Sequence, residues 1–168
     1  MKLLVALFLV ISIGYANSES DFKKGMNYLL GIDVKQDKTK AFEYLSKASD
    51  SNHSEASYNL ALMYYLGDGV EQNVSMSAKL LDASAKAGYK KAIDNVGKIY
   101  MQLLKFDKAI EWLKVNAKDG DTQANYLLAE IYTQKDDLKD AKIYAKKAID
   151  NGNLDAIKLW DDYNLSNY

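Results

Sequence analysis

Asn59-Leu60-Ala61-Leu62-Met63-Tyr64-Tyr65-Leu66-Gly67-Asp68-Gly69-Val70 is an apolar run that stops abruptly at two glycines. Leu60, Ala61 and Tyr64 repeat with the spacing of one helical face, and Gly-x-Gly ends the helix in a turn. Ala56, which opens this segment, has counterparts in Ala92, Ala124 and Ala156, at spacings of 36, 32 and 32. A period in that range marks a stacked repeat.

Each unit opens with a helix carrying an apolar residue, a small residue and a Tyr in fixed register: Leu60, Ala61, Tyr64; Val96, Gly97, Tyr100; Leu128, Ala129, Tyr132. The small residue lets a second helix approach closely, and the Tyr ring is expected to fill the gap between units. The second helices carry stripes of their own: Ala41, Leu45, Ala48; Leu81, Ala85; Ala109, Leu113, Ala117; Ala141, Ala145, Ala148. Three of them stop at Gly88, Gly120 and Gly152, where a left-handed residue costs Gly least, and Asn52 holds the fourth such place. Gly31-Ile32-Asp33-Val34 and Gly67-Asp68-Gly69-Val70 join the helices of the first two units. The last two units lack these four residues, which turns 36 into 32.

One hairpin cannot bury its own apolar face, so neighbours must stabilise it. The expected fold is all-α: a right-handed superhelical solenoid of about four antiparallel helical hairpins plus a C-terminal capping helix. That cap runs from Ala156 to Tyr168, with Leu159 and Trp160 inward and Asp161, Asp162 and Asn164 outward.

With Ala, then Leu and a small residue, then Tyr, then Gly-x-Gly-Val and an Ala-rich second helix closed by Gly, the chain resembles the Sel1-like repeat family. Residues 59–70 are the best copy, and the last two units drift towards the related tetratricopeptide repeat. The resemblance covers residues 20 to 168 and implies a protein-binding solenoid, because the family is alike in shape and diverse in task. Some secreted relatives are described as binding or hydrolysing penicillin-like compounds, and those carry paired Cys in every repeat. This chain has no Cys.

Composition narrows the function further. The 168 residues carry 22 basic and 23 acidic side chains, a net charge of -1, and every basic residue is Lys. Without Arg, bidentate recognition of phosphates or base edges is absent, so nucleic acid is not an expected partner. Without Cys and with one His, neither a thiol nucleophile nor an imidazole-rich metal site can be built. The nucleophile elbow, the zinc-protease helix, the phosphate loop and the dinucleotide fingerprint are all missing. Asp68 between two glycines lacks the alternating carboxylates of a calcium loop and reads as a turn. His53 follows the Asn52 turn and is expected in solvent; Asp136-Asp137 and Asp161-Asp162 read as solvated charge. No catalytic residue, cofactor or metal is expected.

Lys2 precedes an apolar stretch from Leu3 to Ile13, and Gly14-Tyr15-Ala16 offers small residues at a cleavage site. Residues 1–16 are expected to be a signal peptide, and 17–168 the mature repeat domain with no transmembrane segment, exported to a bacterial periplasm. The stretch is shorter than the roughly 20 residues that span a bilayer.

In related hairpin repeats the first helices line the concave side, where a peptide or helix of a partner lies. The faces turned from the second helices give Tyr58, Leu62, Tyr65; Asp94, Lys98, Met101; and Tyr126, Glu130, Thr133 as the expected partner-binding set. Their mixture of aromatic, aliphatic and charged groups suits protein recognition.

Three Asn-x-Ser sequons stand at Asn52, Asn73 and Asn164, and each has an acid two residues earlier: Asp50, Glu71 and Asp162. Acids are 23 of 168 residues, so three of three is a chance of roughly 0.003. The extended pattern resembles the acceptor of bacterial periplasmic N-glycosylation, while turn and cap roles for Asn and Ser are the rival account. The expected function is a non-catalytic adaptor or regulator that binds a protein partner. The alternatives are an immunity protein that blocks a periplasmic toxic effector, which some members of the family resemble, and a β-lactam or cell-wall hydrolase.

Overall fold

The computed structural model describes residues 17–168; the expected signal peptide, 1–16, lies outside the described residues. The helices are α1 (17–30), α2 (Lys38–Asp50), α3 (Ser54–Leu66), α4 (Val74–Lys86), α5 (Lys90–Gln102), α6 (Phe106–Lys118), α7 (Thr122–Gln134), α8 (Leu138–Asp150) and α9 (Leu154–Asp162). A single 3-10 turn, Leu165–Asn167, follows. All regular structure among the described residues is helical, arranged as the hairpins α1–α2, α3–α4, α5–α6 and α7–α8 with α9 after them.

Local chemistry sets these boundaries. The side chains of Asp37, Asn73, Asp121, Asp137 and Asn153 each accept the backbone N–H three residues on, at 2.9–3.2 Å, and so begin α2, α4, α7, α8 and α9. Left-handed residues end the second helices where the repeat register demanded them: Asn52 at φ 62°, Gly88 at 86°, Gly120 at 85° and Gly152 at 86°. The long loops turn through Gly31 and Asp33, then Gly67 and Gly69. Where the loop is short, Leu104 and Asp136 take the left-handed conformation instead, at φ 56° and 59°.

The chain divides into two compact units, the first reaching Ala92 and the second running Ile93–Tyr168, so that the boundary falls in the first turn of α5. In the first unit Ala41, Leu45, Ala48, Ala56, Leu60 and Met63 form the core, with Phe22, Met26 and Leu29 packed against it. Tyr64 meets Phe42 edge-on at 5.5 Å, filling the space between the first two hairpins as its register predicts. The loop of the second hairpin docks on the first: Lys38 pairs with Asp68. Beside that pair, a Cβ on Gly69 would lie 2.7 Å from the Lys38 carbonyl oxygen.

In the second unit Val96, Tyr100, Leu113, Leu128 and Ile131 are fully buried. Tyr132 stacks on Tyr144 of its own hairpin at 5.6 Å, with the Lys114 ammonium over its ring. The small residue of the first helix does its expected work, since a Cβ on Gly97 would stand 2.8 Å from Leu113 Cγ on α6. Gly25 holds the same register in the first hairpin, where a Cβ would stand 2.8 Å from Leu45 Cγ. In the cap, Leu159 and Trp160 are half-buried, and Asp161, Asp162 and Asn164 are exposed. The large side chain that is completely buried there is Leu165, in the 3-10 turn.

Candidate functional site

Each unit carries an open cleft on its first helices. In the second unit a cleft of about 640 Å³ lies between the C-terminal half of α5 and α7, floored by the turn that joins α5 to α6. Met101, Leu104, Phe106 and Leu127 give it apolar walls, and Lys98, Gln102, Gln123 and Gln134 line its rim. Leu104 is 72% exposed at a left-handed φ, so the short turn presents its largest apolar side chain to solvent. Lys98 makes no ion pair or hydrogen bond among the described residues. The cleft therefore combines apolar contact area, three amide side chains able to bond a peptide backbone, and one unpaired cation. A smaller cleft of about 260 Å³ in the first unit is lined by Leu29, Leu30, Gln36, Lys38, Asn59, Leu62, Met63, Leu66 and Asp68. There Lys38 is already paired with Asp68.

The structure places the nine sequence-derived partner residues unevenly. Lys98 and Met101 line the larger cleft and Leu62 the smaller. Tyr58 instead packs against Tyr89 at 5.2 Å, and Tyr89 donates its hydroxyl to Glu55 at 3.1 Å. Tyr65 is half-buried, and its carbonyl accepts the Gln72 amide at 2.8 Å. Asp94 is half-buried and engaged. Tyr126 donates to Glu130 at 2.9 Å on its own helix. Thr133 is buried, with its hydroxyl bonded to the Glu130 carbonyl at 2.8 Å, so it has no surface to offer a partner. On α7 the cleft is lined from Gln123, Leu127 and Gln134, and on α3 from Asn59, Leu62, Met63 and Leu66. The cleft linings on α3 and α7 are thus offset by about one residue from the sequence-derived trios, while Leu62, Lys98 and Met101 belong to both.

His53 departs from the expectation of a solvent site. Its side chain is only 14% exposed, stacked on Phe22 at 4.5 Å. Nδ1 accepts the Ala56 N–H at 3.2 Å and caps α3, while Nε2 lies 3.1 Å from Glu19. That bond, and next the Lys23 contact, hold the Glu19 carboxyl below its usual range. The imidazole is a structural cap tying α1 to α3. Asp136 takes the left-handed turn position, and Asp137 caps α8. No group of three or more His, Asp or Glu side chains gathers where it could hold a metal ion among the described residues. Nor is any helix among them long and apolar enough to cross a membrane.

The sequon asparagines all sit at helix junctions and are exposed. Asn52 lies between α2 and α3, Asn73 caps α4, and Asn164 stands left-handed at φ 47° before the 3-10 turn.

Comparison with known proteins agrees with the architecture. The family model described as Sel1 repeat matches residues 18–53, 54–89 and 122–153, leaving out the α5–α6 hairpin. A search of curated proteins returns no match. Among solved structures, a protective antigen of uropathogenic Escherichia coli strains displaying an SLR fold is similar over 88% of this chain, at 27% identity and a TM-score of 0.65. This chain spans 34% of that protein's length. A Sel1 repeat protein from Oxalobacter formigenes is similar at 23% identity and a TM-score of 0.61, covering 84% of this chain and 62% of its own. MamA follows at 24% identity and 0.59, covering 84% of this chain and 81% of its own.

Proposed function

The chain belongs to the Sel1 repeat family, and from that premise we propose that it is an exported, non-catalytic adaptor or regulator that grips a protein partner in the cleft of its second unit. Sel1 repeats are in general protein-interaction modules. The observation that carries the reading is the larger cleft itself, with four apolar walls, three rim glutamines and the unpaired Lys98. An apolar peptide segment bearing a carboxylate fits that chemistry: the side chains are desolvated against Met101, Phe106 and Leu127, and Lys98 sets the direction of the peptide. The absence of a matched Sel1 repeat over 90–121 supports placing the specific surface there, because that hairpin departs most from the shared pattern.

Export to a bacterial periplasm rests on Lys2 and the apolar run Leu3 to Ile13 before Gly14-Tyr15-Ala16. Export would also bring the three sequons to a compartment where glycan transfer occurs.

The test is site-specific photo-crosslinking of the full chain in its host, with the reactive residue placed at Leu104 and, as a control, at Leu154, which is 78% exposed on α9. A single protein partner captured from position 104 and not from 154, and lost in Lys98→Ala/Leu127→Ala, is the expected result. The same capture from both positions, or none from 104, rejects the cleft.

A further inference from the structure

We infer that Asn52, Asn73 and Asn164 are acceptors of an N-linked oligosaccharide, added by a transferase that reads the acid two residues before each Asn. The biological setting rests on the export reading above; the acceptor chemistry stands on the folded surface.

Structure accounts for the asparagines by themselves. Asn52 and Asn164 occupy left-handed positions that Asn tolerates, and Asn73 caps a helix. It gives no account of the acids. Asp50, Glu71 and Asp162 are all exposed, and none makes an ion pair or side-chain hydrogen bond among the described residues. Two of them are placed against local electrostatics: Asp50 ends α2 and Asp162 ends α9, where the unsatisfied carbonyls disfavour a carboxylate. The contrast with Asp150, which ends α8, is instructive. Asp150 is held by Lys146 at 3.4 Å and belongs to no sequon, whereas Asp50 has no such partner and does. The fold leaves all three acids exposed and unengaged, as it does Asp161 and Glu111 outside the sequons, so what distinguishes them is their shared place two residues before an exposed Asn.

The asparagines are also chemically available. In the transfer, the Asn side-chain nitrogen attacks the anomeric carbon of a lipid-linked oligosaccharyl pyrophosphate. The C–N bond forms as the C–O bond to pyrophosphate breaks, the lipid pyrophosphate leaves, and the amide proton passes to a base of the transferase. Oδ1 takes no part. At Asn73 the cap uses only Oδ1, which accepts the Met76 N–H at 2.9 Å, so Nδ2 is free and the cap persists after transfer. The Asn52 and Asn164 side chains make no hydrogen bond among the described residues. Around Asn73, Glu71, Gln72 and Ser75 are exposed, and so are residues 161–164, whereas His53 and Leu165, which follow Asn52 and Asn164, are half-buried and buried, so Asn73 is the most open of the three sites.

The experiment incubates the purified, folded full chain with an acid-requiring bacterial oligosaccharyltransferase and its lipid-linked oligosaccharide, then maps glycopeptides by mass. All three asparagines are expected to carry glycan. Asp50→Ala, Glu71→Ala and Asp162→Ala are each expected to lower occupancy at their own site at least tenfold. Asn52→Gly, Asn73→Asp and Asn164→Gly keep the left-handed turns and the cap, and are expected to abolish the adduct with an unchanged helical circular-dichroism spectrum. Unmodified peptides overturn the inference, and so does modification only after heat denaturation. Occupancy insensitive to the acids overturns the acid-reading part. N-terminal sequencing of the protein from the host periplasm reads export separately: a chain that is cleaved and exported but accepts no glycan in vitro refutes the acceptor sites and leaves export standing, and the reverse outcome does the opposite.

Discussion

Between α3 and α4 the chain leaves its helix through Gly67 at φ 73° and turns back through Gly69 at φ 75°, whereas between α5 and α6 it makes the corner with Leu104 at φ 56°. The long loop of the first unit is used for packing. Asp68 pairs with Lys38, and Gly69 lies so close to the Lys38 carbonyl that no Cβ fits. The short turn between α5 and α6 holds a branched residue in a conformation that costs an L side chain about 1–2 kcal/mol. The same turn places Leu104 in the lining of the larger cleft. One family register therefore yields two kinds of corner, a glycine loop whose Asp68 reaches back to Lys38 and a short turn that sets an apolar side chain in the lining of the larger cleft. The helix cap follows the same division: Asn73 caps α4 with its side chain, and Lys105 ahead of α6 makes no such bond.

Gly69→Ala is the strongest way to break this comparison. Positive φ and a Cβ 2.7 Å from a backbone oxygen act together, and the expected cost is about 3 kcal/mol in urea unfolding. Gly67→Ala isolates the conformational part, because its Cβ would meet the Gln72 Cβ at 3.3 Å instead of a carbonyl. Equal losses at the two positions would show that the loop does not dock. Gly97→Ala comes next. Its Cβ would press on Leu113 at 2.8 Å, and after the gain in helix propensity about 1.5 kcal/mol of destabilisation remains. Leu113→Val in that background should recover part of it.

Leu104→Gly sharpens the other side of the comparison, since it relieves strain and is expected to stabilise the chain by about 1 kcal/mol net of glycine's unfolded-state entropy. It also removes an apolar wall of the cleft. A protein that unfolds later in urea yet loses its partner is the expected pair of results; unchanged stability would mean that the left-handed turn stores no strain.

The hairpins, their left-handed ends and the close approach at Gly97 were legible because each depends on residue type at a fixed register. The cleft-facing stripe was not. In α3, Leu60, Leu62, Met63, Tyr64, Tyr65 and Leu66 are nearly continuous, and in α7 Tyr126, Leu127 and Leu128 are consecutive, so periodicity cannot say which apolar residue faces outward. Tyr58 and Tyr126 look like binding aromatics in sequence, but one packs on Tyr89 and the other bonds Glu130. His53 reads as a solvent residue in sequence because its Glu19 contact joins residues 34 apart, a pairing with no local signature. Leu165 escaped notice for a similar reason, being buried by a 3-10 turn that carries no repeat register.

The smallest expected effect separates the units by what their tyrosines hold together. Burial, reinforced by a bond to Glu55, pushes the Tyr89 hydroxyl up to about 12, and burial with Glu130 does the same for Tyr126. Both values exceed the ordinary 10.0, so the folded chain keeps protons that the unfolded chain releases. The contribution to stability is complete below pH 10 and is lost as pH rises through about 12. Titration at 295 nm should show Tyr89 and Tyr126 among the late-ionising tyrosines, beside Tyr144, which burial also raises, and Glu55→Gln or Glu130→Gln should lower the tyrosine it contacts. The structural consequences should differ. The Tyr89 bond reaches from beyond α4 back to the first turn of α3, whereas Tyr126 and Glu130 are one turn apart on α7. Tyr89→Phe is therefore expected to raise amide exchange at the start of α3, and Tyr126→Phe to leave exchange in α7 unchanged. Equal protection in both variants would mean that the Tyr89 bond ties no separate elements together, and that the units differ only at their corners.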